Sequence, residues 1–217
     1  MILNFDDLNK LFKEIDKKLK EKVHFYVIGG AVMLYHNLKT STKDIDIVVD
    51  SLEEFKAIEK LLKEMGFESK ILTIEYKNFD LNQIFVRNDY RIDLFQRTVC
   101  KGFILSKHMM KRAEILINLN NLSVSLCSTT DIFMFKTFTE RPGDIDDCIS
   151  LAKTKIDWES MLTEIKNQIK TSGQKVWITY IGERLDILEE KGVVIPIMKD
   201  INTLREEYFK ILEKNLH

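Results

Sequence analysis

The stretch "YVIGGAVMLYHNLKTSTKDIDIVVDS", residues 26–51, constrains the fold more than any other part of the chain. A short apolar run over 24–28 meets two glycines, Gly29 and Gly30. Apolar residues at helical spacing follow in "AVMLYHNL", and a second apolar run, "DIDIVV", then carries Asp44 and Asp46. Short buried runs read as strands and the 3.6-residue period as helix, which predicts strand, tight turn, helix, strand. Glycines at such a turn let the backbone approach a ligand closely. The helix opening there aims its free N–H groups at whatever sits above the turn, for which phosphate is the natural occupant. Side chains alternate along a strand, so Asp44 and Asp46 share one side, about 7 Å apart. Two acids so placed repel each other unless something positive sits between them. A hard divalent cation, Mg²⁺ or Mn²⁺, meets that need, because it takes carboxylate oxygens and completes its shell with water and substrate phosphates.

A third acid fits the same pattern. "LNQIFV" and "YRIDLF", separated by "RND", predict a hairpin whose second strand carries Asp93 between Ile92 and Leu94. Three carboxylates suffice to hold two metals about 3.5 to 4 Å apart, the arrangement used for in-line displacement at phosphorus. Around this core, Leu8, Leu11, Phe12, Ile15 and Leu19 recur at helical spacing from an Asn4 or Asp6 cap, ending near the solvated lysines of "KKLKEK". Phe55, Ile58, Leu61 and Leu62 predict a helix over 52–65 stopped by Gly66. "SKHMMKRA" reads as a short helix, and "EILINLNNLSVSL" as a hairpin turning at Asn120 and Asn121. After Cys127 the period stays helical, with helices expected over 129–139, 143–154, 157–171, 174–191 and 202–215. The expected class is α+β: a small mixed β-sheet flanked by helices over 1–127, followed by a C-terminal helical domain over 128–217.

Charge narrows the partners. The 217 residues carry 33 Lys and Arg against 34 Asp and Glu, a net charge of −1. The part up to Cys127 holds 20 basic against 18 acidic residues and the remainder 13 against 16, so neither forms a long nucleic-acid track. Cys100, Cys127 and Cys148 match neither a disulfide framework nor a metal motif, which predicts reduced thiols in a cytoplasmic protein. No stretch approaches eighteen apolar residues, so no membrane span is expected.

Gly29-Gly30, a spacer, Asp44-Ile45-Asp46-Ile47 and a later Ile92-Asp93-Leu94 resemble the three-part signature of the DNA polymerase β-like nucleotidyltransferase superfamily. The resemblance spans roughly residues 23–95. It implies transfer of an NMP from an NTP to a hydroxyl with release of pyrophosphate, with Gly29, Gly30, Thr42 and Lys43 binding the nucleotide. It also implies Asp44, Asp46 and Asp93 as catalytic metal ligands for Mg²⁺ or Mn²⁺, Asp93 helping to deprotonate the acceptor. Farther on, Lys136, Arg141, Asp144 and Asp147 in "FKTFTERPGDIDDCISLA" are similar in order to a segment of the AbiEii-like toxin branch, where the lysine and an aspartate belong to the active site. That branch implies a tRNA or a protein as acceptor and a cognate antitoxin as partner; other branches modify small molecules. Read without the resemblance, Asp144 is a favourable helix N-terminal acid and Lys136 a side chain that snorkels. The pattern departs from its relatives at Thr40, where they often carry an arginine. His36 reads as the residue ending a helix, and His108 with Lys107, Lys111 and Arg112 as a solvated basic face. The alternatives are a non-catalytic nucleotide- or partner-binding module on the same fold and one half of a toxin–antitoxin pair.

Overall fold

The computed structural model describes residues 5–73, 80–139 and 141–215; the Asn4 cap lies outside them. The chain is α+β and divides into two compact units, residues 1–128 and 129–217.

In the first unit, α1 (Phe5–Asp16) leads to β1 (Val23–Ile28), α2 (Gly29–Tyr35), β2 (Ile45–Val49) and α3 (Leu52–Glu64). Then come β3 (Glu68–Lys70), β4 (Gln83–Arg87), β5 (Tyr90–Gln96), β6 (Thr98–Val99), β7 (Phe103–Ile104), α4 (Lys107–Arg112), β8 (Glu114–Asn118) and β9 (Leu122–Leu126). Seven strands form one mixed sheet in the order β3-β4-β5-β2-β1-β9-β8, while β6 and β7 pair separately. At the centre β1 runs antiparallel to β2 and parallel to β9, and β2 runs parallel to β5. One face of these strands is a continuous apolar core. Phe25, Val27, Ile45, Ile47, Ile92, Leu94 and Val124 are all fully buried there, as are Leu8, Phe12 and Ile15 of α1. The Phe12 and Phe25 rings meet edge to face at 6.4 Å. The opposite face carries the polar residues, His24, Tyr26, Asp46 and Asp93 among them.

Local signals explain the ends of the elements. Ser51 caps α3 by accepting from the Glu54 N–H, while the Glu54 carboxylate accepts from the Ser51 N–H, and Gly66 takes φ +83° beyond the helix end. Asn88 turns the β4–β5 hairpin at φ +54°. The tie between α1 and the β8–β9 hairpin is a carboxylate. Asp16 Oδ1, almost buried, accepts from the backbone N–H groups of Asn121 at 2.7 Å and Leu122 at 3.0 Å. Asp16→Ala leaves both donors unpaired and should cost about 1.5 to 3 kcal/mol in urea unfolding, since hydrogen bonds to a charged group are the strong ones.

The second unit is helical: α5 (Thr129–Thr137), α6 (Pro142–Leu151), α7 (Trp158–Ser172), α8 (Trp177–Glu190) and α9 (Met198–Asn215). Every residue of α5 from Thr130 to Thr137 is buried; α6, α7 and α8 pack against it, and α9 packs against α8. Asp157 caps α7 at its start, and Gly173 ends it in the left-handed conformation at φ +73°. Three boundaries differ from the sequence expectation by three residues or more: α6 ends three residues before 154, α8 begins three residues later than 174, and α9 begins four residues earlier than 202. Cys127 and Cys148 are buried core residues, and burial pushes the Cys148 thiol up to about 12. Among the described residues no helix is long and apolar enough to cross a membrane.

Candidate active site at the glycine turn

The end of β1 and the start of β2 form one piece of geometry. Ile28 is the register partner of Asp46, and Asp46 is in turn the register partner of Asp93 on β5. Register partners point to the same face and lie about 5 Å apart, so the two acids stand side by side where β1 turns into α2. Gly29 takes φ +67°, and a β-carbon there would overlap Asp46 Oδ2. Both the backbone conformation and the space therefore demand glycine. At Gly30 a β-carbon would lie 2.5 Å from Thr42 Oγ1. Thr42 is buried, and its hydroxyl donates to the Asp44 carbonyl at 3.1 Å, which fixes the approach to β2. Gly29, Gly30, Thr42, Asp44, Asp46 and Asp93 are thus brought together by one turn and three adjacent strands. Asp44 immediately precedes β2 and is half-buried. Lys43 and Thr40 are exposed.

Reasoning from sequence missed one member of the cluster. The guanidinium of Arg91, two residues before Asp93 and on the same face, donates to Asp93 through Nε at 2.7 Å and a terminal nitrogen at 2.6 Å. The positive charge anticipated among the acids is, at Asp93, supplied by the chain itself. Its signal was present in "YRIDLF", where alternation puts Arg91 and Asp93 on one side. Among the described residues no three His, Cys, Asp or Glu side chains form a group able to hold a metal as they stand. The donor set nevertheless suits a hard divalent cation, being all carboxylate, with Asp46 pressed against the only kind of residue that leaves its Oδ2 room.

The second unit gathers the other four candidates. Lys136 on α5 is 6% exposed, and its ammonium pairs with Asp144 Oδ1 at 3.0 Å and Asp147 Oδ2 at 2.5 Å, both on α6. It therefore does not snorkel. Arg141 donates to both Asp144 oxygens at 3.0 and 3.2 Å, and the Thr139 hydroxyl donates to Oδ2. Burial works against the Lys136 charge, but Asp144 and Asp147 outweigh it and raise its pKa above the ordinary value. Burial likewise opposes the Asp144 charge, and Lys136 and Arg141 overcome it, holding the carboxyl below its ordinary range.

The remaining candidates fall outside both clusters. His36 follows α2 as its cap residue with its ring edge-on to Tyr35 at 5.2 Å. Lys107, His108 and Lys111 of α4 are exposed. A cavity of about 280 Å³ lined by Lys18, Lys22, Glu53, Glu54 and Lys60 lies at the Val23 end of β1, opposite the glycines.

Residues 6–176 match the profile of a family described as nucleotidyltransferase of unknown function (DUF6036). Among solved structures, the chain is similar to that of ANT(2")-Ia in complex with adenylyl-2"-tobramycin, at 10% identity and a TM-score of 0.44. The similarity covers 83% of this chain and 96% of that one. Comparison with curated proteins found no match.

Proposed function

This chain belongs to the DUF6036 family of nucleotidyltransferases, and from that membership we propose that its first unit moves an NMP from an NTP to a hydroxyl with release of pyrophosphate. The observation that carries the proposal is the side-by-side register of Asp46 and Asp93 beneath the left-handed Gly29. In this reading the absence of side chains at Gly29 and Gly30 lets the triphosphate lie against the turn, while buried Thr42 holds the Asp44 backbone in place. Exposed Lys43 offers a flexible charge to the phosphates. Asp44, Asp46 and Asp93 would hold Mg²⁺ or Mn²⁺. The bound metal would supply neutralisation of the triphosphate charge and a template for in-line attack. The acceptor oxygen bonds to the α-phosphorus as the bond from that phosphorus to the bridging oxygen breaks. Pyrophosphate carries away the electron pair, and the hydroxyl proton passes to the Asp93 carboxylate and on to solvent.

The acceptor belongs to the proposal too: a hydroxyl on a tRNA, a protein or a small molecule, the near-neutral charge favouring a locally gripped group over a long nucleic-acid track. So do a cytoplasmic site of action, which rests on the cysteine pattern, and a cognate antitoxin and a part in catalysis for Lys136, Arg141, Asp144 and Asp147, which rest on resemblance to the AbiEii-like branch. A binding module that transfers nothing is the second reading, favoured by the engagement of Asp93 with Arg91 and by Thr40. Titrating Mn²⁺ and ATP or GTP together tests the site. Each should tighten binding of the other, because the nucleotide supplies ligands that the carboxylates leave open, and such coupling is reciprocal. Nucleotide affinity indifferent to divalent metal would count against the metal-dependent site.

A further inference from the structure

Resting on that reading of the site, we propose that Arg91 is a resident counter-ion which Asp93 exchanges for the metal, and that the released guanidinium then grips the triphosphate. Both oxygens of Asp93 are engaged by the Arg91 fork. The acid side chain is 5% exposed and the arginine 26%, so the guanidinium is the more accessible partner. A cation can bind Asp93 oxygens at full strength only as the fork loosens. A buried carboxylate left without a positive partner is strongly unfavourable, so metal arrival and guanidinium departure must be coupled. The departing group has a ready second partner, because the planar fork that fits a carboxylate fits phosphate oxygens equally well. Lys43 offers the phosphates a point charge but no fork, and Thr40 offers neither.

The exchange makes two effects of opposite sign. Removing the guanidinium takes away a cation that competes with the metal for Asp93 but deprives the triphosphate of its clamp. Arg91→Ala should bind Mn²⁺ alone more tightly, by roughly fivefold or more, since a competing cation is gone. This is read from the electron paramagnetic resonance signal of free Mn²⁺, and Mn²⁺ should raise the melting temperature of the variant more than that of the parent. In saturating Mn²⁺ the same variant should bind ATP roughly tenfold more weakly in calorimetric titration, the loss expected for a charge-assisted hydrogen bond. Arg91→Lys, which keeps the charge and secures the test if the alanine variant folds poorly, should fall between parent and alanine in ATP affinity. The exchange is overturned if metal and ATP affinities fall together, as they would if Arg91 only props Asp93, or if neither changes. Those results in a parent that shows mutual Mn²⁺ and ATP enhancement refute the exchange alone. A parent lacking the enhancement refutes the metal-dependent site and the exchange with it.

Discussion

Asp46→Asn should lower nucleotidyl transfer by about 10²-fold or more, at least about 2.7 kcal/mol of transition-state stabilisation, while the unfolding free energy stays within about 1 kcal/mol of the parent. The asymmetry follows from position. Asp46 is half-buried beside a second acid, and its Oδ2 lies against Gly29, so its charge stands at the glycine turn, where the proposed reaction needs it. An amide keeps its size and removes its charge. Asp93→Asn should cost transfer to a similar extent but also lower stability, because the Arg91 fork loses its charged partner. Chemical denaturation beside steady-state rates separates the two: one variant loses rate alone, the other both. Should Asp46→Asn transfer at the parental rate, the acid pair is not the reacting centre.

Lys136→Met should destabilise the protein by about 3 to 5 kcal/mol, read from urea midpoints at constant slope. Removing one partner of a buried ion pair strands the other. Here both Asp144 and Asp147 lose the ammonium, while Asp144 keeps Arg141 and Thr139. The pH dependence has a definite sign. Asp144, held below its ordinary value of 3.8, contributes fully above that pH, and its contribution is lost as pH falls through the lowered value. Lys136, raised above 10.5, contributes fully below that pH and loses its contribution only as pH rises beyond it. The stability difference between parent and Lys136→Met should therefore be flat across neutral pH and shrink toward both extremes.

The turn and the acids were readable because each uses a local rule. The apolar run before Gly29-Gly30 and the alternation in "DIDIVV" fix which residues share a side, and the register of β2 with β5 then aligns Asp46 with Asp93. The central strands and long helices were legible for the same reason, through periodicity reinforced by Gly66 and the Asn120-Asn121 turn. The short elements were not. Glu68–Lys70 is three exposed polar residues with no alternation to detect, and the two-residue strands β6 and β7 are set by pairing across a turn. The start of α9 came earlier than expected because Met198 and Ile201 are buried by their neighbours, which no local signal announces. The Arg91 fork was overlooked since an arginine beside a strand acid reads as solvated until its partner is seen. The burial of Lys136 required α6 to fold back with two acids facing α5, a tertiary arrangement that sequence spacing suggests only as an order of residues.

The most direct measurement follows one phosphate. The chain is incubated with Mg²⁺ or Mn²⁺, total cellular RNA and protein, and each NTP labelled in turn at the α- or the γ-phosphate, with Asp46→Asn as the control. Nucleotidyl transfer predicts that α-label becomes covalently attached to an acceptor, that γ-label leaves in pyrophosphate, and that both depend on divalent metal and fail in the variant. Attachment of γ-label, or pyrophosphate release no greater than that of Asp46→Asn with every NTP, would contradict it.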